Sequence, residues 1–160
     1  MASFTRRVTW LIERALMLLS CAIAVVVFLQ VVFRYVLHQP LFWSEELPRY
    51  CLIWLSFLAA ALAQKDDAHI NITLGLSWMP GRGRHVVRIA TNLITLGFLG
   101  ILVYSGVRVV EITAHHRSTA LQVPMGAIYA ALPVGALLMG MYLLIQIIDG
   151  IRRLCAKDAA

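Results

Sequence analysis

Ionisable side chains are scarce in this sequence, and none lies in the middle of a long apolar run. Charged residues make up 14% of the 160 residues and hydrophobic ones 61%, against about 25% and about 45–50% in soluble domains. That balance excludes a water-soluble globular domain and reads as one all-α membrane domain. Pumps and proton relays carry a carboxylate, Lys, Arg or His deep in a span. Here the deepest polar groups are amides and hydroxyls, such as Gln30, Ser56, Asn92 and Gln146. Cysteine is also sparse. Cys21, Cys51 and Cys155 are far apart and odd in number, so they form neither a disulfide framework nor a metal-ligand spacing. There is no Gly-rich phosphate loop, metal-ligand cluster or nucleophile–base pair. No catalytic, cofactor or metal residue is assigned, and no enzyme is expected. The net charge of +6 does not point to nucleic acid, because the basic residues form short clusters beside apolar runs, where membrane orientation needs them.

What is present is four apolar runs. Residues 15–33 and 89–107 are each 19 residues without a charge, and 125–148 are 24; each is long enough to cross a bilayer. The first exceeds the 7–15 residues of a signal-peptide core. Leu18-Leu19-Ser20-Cys21 faintly resembles a lipoprotein cleavage site, but Glu13 and Arg14 stand too close before it, so an uncleaved first helix is expected. Spans are expected over about 12–35, 44–65, 86–108 and 125–149. Ile70, Leu74 and Trp78 recur at a spacing of four, which suits a short interfacial amphipathic helix over 70–79. Residues 70–73 also alternate like a strand, but no sheet partner is evident. Pro80-Gly81-Arg82-Gly83-Arg84 reads as a basic turn. Pro133 removes a hydrogen bond to the Tyr129 carbonyl and should kink the fourth helix. Gly97, Gly100, Ser105 and Gly106 in the third run, and Ala136 and Gly140 in the fourth, are small residues that permit close helix approach. Ten of the 14 Lys and Arg residues lie at the termini and between runs two and three. By the positive-inside rule both termini are cytoplasmic.

The second span is the unusual one. It opens Phe42-Trp43-Ser44-Glu45-Glu46-Leu47-Pro48-Arg49-Tyr50, and its apolar part, residues 50–63, is only 14 residues, about 21 Å of helix against about 30 Å of hydrocarbon. Ser44 is the expected N-cap. Glu45 and Glu46 then sit where the helix dipole favours negative charge, and Arg49 falls one turn beyond Glu45. Two readings of these charges stand side by side: headgroup contact at a helix end, or a fixed polar contact with a neighbouring helix or subunit.

The five histidines, His38, His69, His85, His115 and His116, all lie outside the apolar runs. A haem-binding redox anchor would need facing imidazoles on helices. It is the alternative reading, and an absorption spectrum without a Soret band would dismiss it. A small transporter working alone as an oligomer is a third class, which uptake by this chain alone would support. The bottom-up reading is a scaffold that holds another membrane protein.

The order Arg34-Tyr35, Trp43-Ser44-Glu45-Glu46-Leu47, Arg49-Tyr50, Trp54, Phe57 and His69-Ile70 resembles the small membrane subunit of TRAP transporters (tripartite ATP-independent periplasmic transporters, DctQ type). Ala120-Leu121, Pro124, Tyr129 and Pro133-Val134-Gly135 are similar to that family's connector and fourth helix. Pro48 and Ala59 depart from the family pattern without breaking it. The resemblance implies a bacterial inner-membrane subunit that partners a large permease subunit carrying substrate and sodium. It also implies an extracytoplasmic solute-binding protein that delivers an organic acid. No cofactor is implied for this chain, and membrane lipids are its other neighbours. Two expectations follow. Arg34 and Arg49 hold Glu45 and Glu46 at the outer edge, and small-residue faces on the third and fourth helices, or the bulky face of the second, dock the large subunit.

Overall fold

The computed structural model describes residues 2–39, 41–67 and 81–157. The helices are α1 (Ala2–Tyr35), α2 (Glu46–Asp67), α3 (Gly81–Thr113), α4 (Met125–Tyr129) and α5 (Ala131–Lys157), with a 3-10 turn over Phe42–Ser44 before α2. Four stretches are long and apolar enough to cross a membrane: Thr5–Tyr35, Phe42–Lys65, Ala90–Thr113 and Met125–Ile148. No strand occurs among the described residues, so the fold is an all-α membrane protein. The interfacial helix expected over 70–79, and His69 beside it, lie outside the described residues.

The helices extend further than the charge-free runs that announce them. The third continues through Arg108 and Glu111 to Thr113 and begins at Gly81, so Gly81 to Arg84 form its first turn and not a separate turn. Charges mark where a helix leaves the hydrocarbon, but backbone hydrogen bonding continues past that point. The first turn has no N–H partners to lose, so glycine is tolerated there. The first helix stops at Tyr35 because His38 adopts a left-handed backbone, φ 54°. That conformation lets the Gln39 N–H reach the Phe33 carbonyl at 3.0 Å, a close variant of the usual left-handed helix stop. The fourth span divides at Ala130 into α4 and α5. Pro133 has no N–H for the Tyr129 carbonyl, and the ladder resumes with the Val134 N–H on Ala130 at 3.1 Å.

The spans form an open row and not a closed bundle. Helix α2 packs between α1 and α5, and α5 between α2 and α3. One third of the most apolar stretch of the fourth span is buried, against 6–11% in the others, which makes α5 the hub. On one flank Ile12, Leu58 and Tyr142 are buried together, with Trp54, Leu16 and Leu138 packed round them. On the other flank Leu99, Ala136 and Leu143 form a second core. Thr9 and Tyr142, both buried, share a hydrogen bond of 3.0 Å between α1 and α5. Bonds of this kind contribute about 0.6 kcal/mol in a bilayer.

Glycine sets the two closest approaches to α5. A Cβ at Gly135 would lie 2.7 Å from the Phe57 Cβ on α2. A Cβ at Gly106 on α3 would overlap Leu132 Cδ2 and lie 3.0 Å from Pro133 Cδ. Gly126 does the same for α4, where an added Cβ would meet the Ala114 Cα at 3.0 Å.

Candidate functional site

The charged start of α2 is arranged differently from the expectation. Ser44 does not cap α2. Its N–H bonds the Leu41 carbonyl at 3.2 Å, and its hydroxyl donates to the same oxygen at 2.7 Å. The chain closes a 3-10 turn before the helix begins, so the buried Ser44 side chain is spent on that turn. Helix α2 begins at Glu46, and Pro48 falls in its first turn, where a missing N–H removes no ladder bond.

Glu46 and Glu45 point to different partners. Glu46 accepts from the Thr119 hydroxyl at 2.6 Å and from the backbone N–H groups of Ala120 and Leu121, each at 3.1 Å. These donors belong to the connector between α3 and α4. That loop is folded on itself: the Ser118 N–H bonds the Val123 carbonyl, the Val123 N–H bonds the buried Ser118 hydroxyl, and the Met125 N–H bonds the His116 carbonyl. Gln122 takes a left-handed φ of 55° at the bend. The carboxylate of α2 takes the Thr119 hydroxyl and the two N–H groups before that bend and latches the connector down.

Glu45 faces Arg34 at 3.9 Å, with side chains 59% and 64% exposed. Of the arginine–glutamate contacts expected at this edge, Arg34 with Glu45 is present, and none to Glu46 occurs among the described residues. Arg34 meets Glu45 only, and Glu46 is taken by shorter bonds from the connector. Arg49 is exposed and has no ion-pair partner among the described residues. With Phe42, both glutamates, Thr119 and Ala120 it lines an open groove of about 480 Å³. A long, exposed pair contributes about 0–1 kcal/mol. Glu45→Gln should therefore shift the thermal midpoint by less than about 4 °C in detergent. A larger drop would show that the Arg34 contact is structural.

The remaining expected residues fall into separate places. Phe42 is 85% exposed and Trp43 37%. Tyr50 is half-buried, and Trp54 joins the core between α1, α2 and α5. Pro133 is buried beside Gly106. Gly97, Gly100 and Gly140 have nothing within 4 Å of an added Cβ, so none of them makes a close contact inside this chain. His38 is exposed, with Nδ1 3.3 Å from the Val36 carbonyl oxygen, and His115 and His116 are exposed too.

Sequence reasoning missed the connector residues Thr119 to Leu121, and it missed Gln146. The Gln146 amide donates to the Gln64 carbonyl at 2.7 Å, and the Lys65 carbonyl lies 3.4 Å away. It satisfies carbonyls near the end of α2 that have no partner in the helix. So α2 and α5 run parallel, with Gly135 against Phe57 and Gln146 bonded to the end of α2, while Glu46 ties the start of α2 to the connector ahead of α4. One signal was available for the Glu46 tie: the connector, with Ser118-Thr119 and Pro124, lies on the same side of the membrane as Glu46 in a four-span topology.

Residues 23–153 match the family described as tripartite ATP-independent periplasmic transporters, DctQ component. A Haemophilus influenzae protein assigned as a TRAP transporter small permease protein is 26% identical over 150 residues, covering 91% of this chain and 93% of that one. The sialic acid TRAP transporter small permease protein SiaQ of Vibrio cholerae is 26% identical over 121 residues, 76% of this chain and 70% of its own. The isethionate TRAP transporter permease protein DctMQ of Oleidesulfovibrio alaskensis is 29% identical over 142 residues, 84% of this chain but only 22% of its own length. An open row of four apolar spans, tied by a glutamate from the Trp-Ser-Glu-Glu stretch, is thus matched over most of its length by small permease components. The chain belongs to the DctQ component family of the tripartite ATP-independent periplasmic transporters.

Proposed function

We propose that this chain is the brace of a sodium-driven organic-acid importer in a bacterial inner membrane, with both termini in the cytoplasm. A large permease subunit translocates the solute and sodium, and an extracytoplasmic solute-binding protein delivers the solute. The observation that carries this reading is the lack of ionisable groups at mid-depth in all four spans, since moving an ion or acid through a bilayer calls for such groups or for a lined cavity. The match to about a fifth of the longer DctMQ permease supports a large partner. The cargoes in the names of two relatives, sialic acid and isethionate, are organic acids and support the substrate class.

The test is reconstitution in vesicles with an imposed sodium gradient. Uptake is expected only when the large subunit, this chain and the binding protein are all present. Uptake by this chain alone, or full uptake without it, would overturn the reading. Docking on the open row also has a direct test. Gly97 and Gly100 sit on the exposed side of α3, where an added Cβ meets nothing within 4 Å. Gly97→Leu with Gly100→Leu should leave the melting curve of the isolated chain in place. Recovery of the large subunit should fall at least about tenfold, which corresponds to roughly 1.4 kcal/mol of interface energy. Unchanged recovery would remove α3 from the interface.

A further inference from the structure

The outward face of α1 takes no part in the latch or in either core. Val8, Ile12, Leu16 and Leu19 turn inward. Arg7, Trp10, Arg14, Leu18, Val25 and Phe28 follow one another at spacings that keep them on the opposite face. All six are exposed, Leu18 by 71% and Phe28 by 68%. The Arg14 guanidinium carbon lies 5.4 Å from the Trp10 ring centroid, a cation–π distance. Among the described residues neither Arg7 nor Arg14 has an ion-pair partner. Glu13 does not share their face, because one residue turns the helix by about 100°.

Depth follows from length. Residues 15–33 carry no charge and make about 28 Å of helix, close to the hydrocarbon thickness of about 30 Å. Arg14 therefore stands at the hydrocarbon edge. Trp10 lies about 6 Å further out and Arg7 about 10 Å, at 1.5 Å per residue. The headgroup layer occupies about 5–7 Å on each side of the bilayer. Arg14 reaches it from below, and Arg7 from above by folding its long side chain back, while Trp10 lies within it, where indole rings collect.

We propose that this face binds an anionic phospholipid as a retained molecule. The phosphodiester sits between the Arg7 and Arg14 guanidiniums, whose planar donors suit phosphate oxygens. The glycerol region lies against Trp10, and an acyl chain runs down Leu18, Val25 and Phe28. Charge complementarity decides the lipid class. A zwitterionic headgroup brings its own ammonium to two unpaired cations, whereas an anionic headgroup brings none.

The test is the lipid carried by the full chain after extraction from bacterial membranes into mild detergent and extensive washing, counted by native mass spectrometry. Wild type should retain phosphatidylglycerol or cardiolipin in preference to phosphatidylethanolamine. Arg7→Gln with Arg14→Gln should lower that retention roughly tenfold or more, given the attraction of each cation near the surface. Arg34→Gln, at the far end of α1, should leave it unchanged, and Arg14→Lys should keep most of it. If the double variant does not fold, wild type in micelles doped equally with phosphatidylglycerol and phosphatidylcholine gives the same ranking without a substitution. Equal retention of the two lipids, no loss in a folded double variant, or crosslinking of position 18 to a large-subunit helix in place of lipid would each overturn the proposal.

Discussion

Gly135→Leu is expected to abolish the folded chain in detergent, and Gly135→Ala to destabilise it by about 1–3 kcal/mol, the usual range for forced overpacking. A Cβ at position 135 would stand 2.7 Å from the Phe57 Cβ and 3.2–3.3 Å from two ring carbons. Ordinary carbon contacts are about 3.5–4.0 Å. The 2.7 Å neighbour is a Cβ, fixed to the backbone of α2, and cannot swing away as a side-chain tip can. The two helices must therefore part by about 1 Å, loosening α5 from the partner to which Gln146 also ties it. The measurement is unfolding of the purified chain in mixed micelles on titration with dodecyl sulfate. Gly97→Ala is the control, because nothing lies within 4 Å of a Cβ there. Phe57→Gly removes that Cβ and relieves the clash, so the pair F57G/G135A should be more stable than the sum of its single effects predicts. A Gly135→Ala chain that unfolds with the Gly97→Ala control would refute the close approach.

Much of this fold is written in where charges stop and start. The four spans follow from residues 15–33, 50–63, 89–107 and 125–148, because a buried charge in lipid is costly and an uncharged helix of that length has few other destinations. The break in the fourth span follows from Pro133 by the same local logic. Which helices become neighbours is another matter. Helices α2 and α5 run parallel side by side, an arrangement that no short loop dictates, since Glu46 is 73–75 residues from the connector it binds. Periodicity says little here, because lipid accepts an apolar side chain on any face. Phe57 and Gly135 both belong to the stretches that resemble the small-subunit family, yet nothing in either stretch says that they touch. Ser44 shows the opposite failure. A Ser before two acids has the local pattern of a cap, but a 3-10 turn one step upstream claims the hydroxyl first. Small residues divide into two sets that their spacing does not distinguish: Gly106, Gly126 and Gly135 make close contacts within the chain, while Gly97, Gly100 and Gly140 face open space there.

Glu46→Ala is expected to release the connector without unfolding the spans. The contest at this edge is between an arginine and a loop, and the distances settle it. Glu46 holds three donors at 2.6–3.1 Å, the Thr119 hydroxyl at the short length of a charge-assisted bond, while the pair made by Glu45 is 3.9 Å long and open to solvent. Removing the Glu46 carboxylate leaves the Thr119 hydroxyl and two backbone N–H groups without their acceptor. The Ser118–Val123 bonds remain, so the loop keeps its own shape and lifts as a unit. Hydrogen exchange at the Ala120 and Leu121 amides should accelerate roughly tenfold or more, as for local opening of a surface segment, while the core amides of α5 keep their protection. Glu46→Gln should fall between, since its amide keeps one oxygen acceptor but turns an NH2 group toward donors. Glu45→Gln should leave both amides as they were. In the proposed orientation the connector faces the solute-binding protein. Uptake by the complete transporter should then drop in Glu46→Ala while recovery of the large subunit stays level, which separates a loop that meets the proposed binding protein from a helix row that holds the permease. Unaltered exchange at Ala120 and Leu121 in Glu46→Ala would mean that the connector is held by its own bonds, and the latch would have to be abandoned.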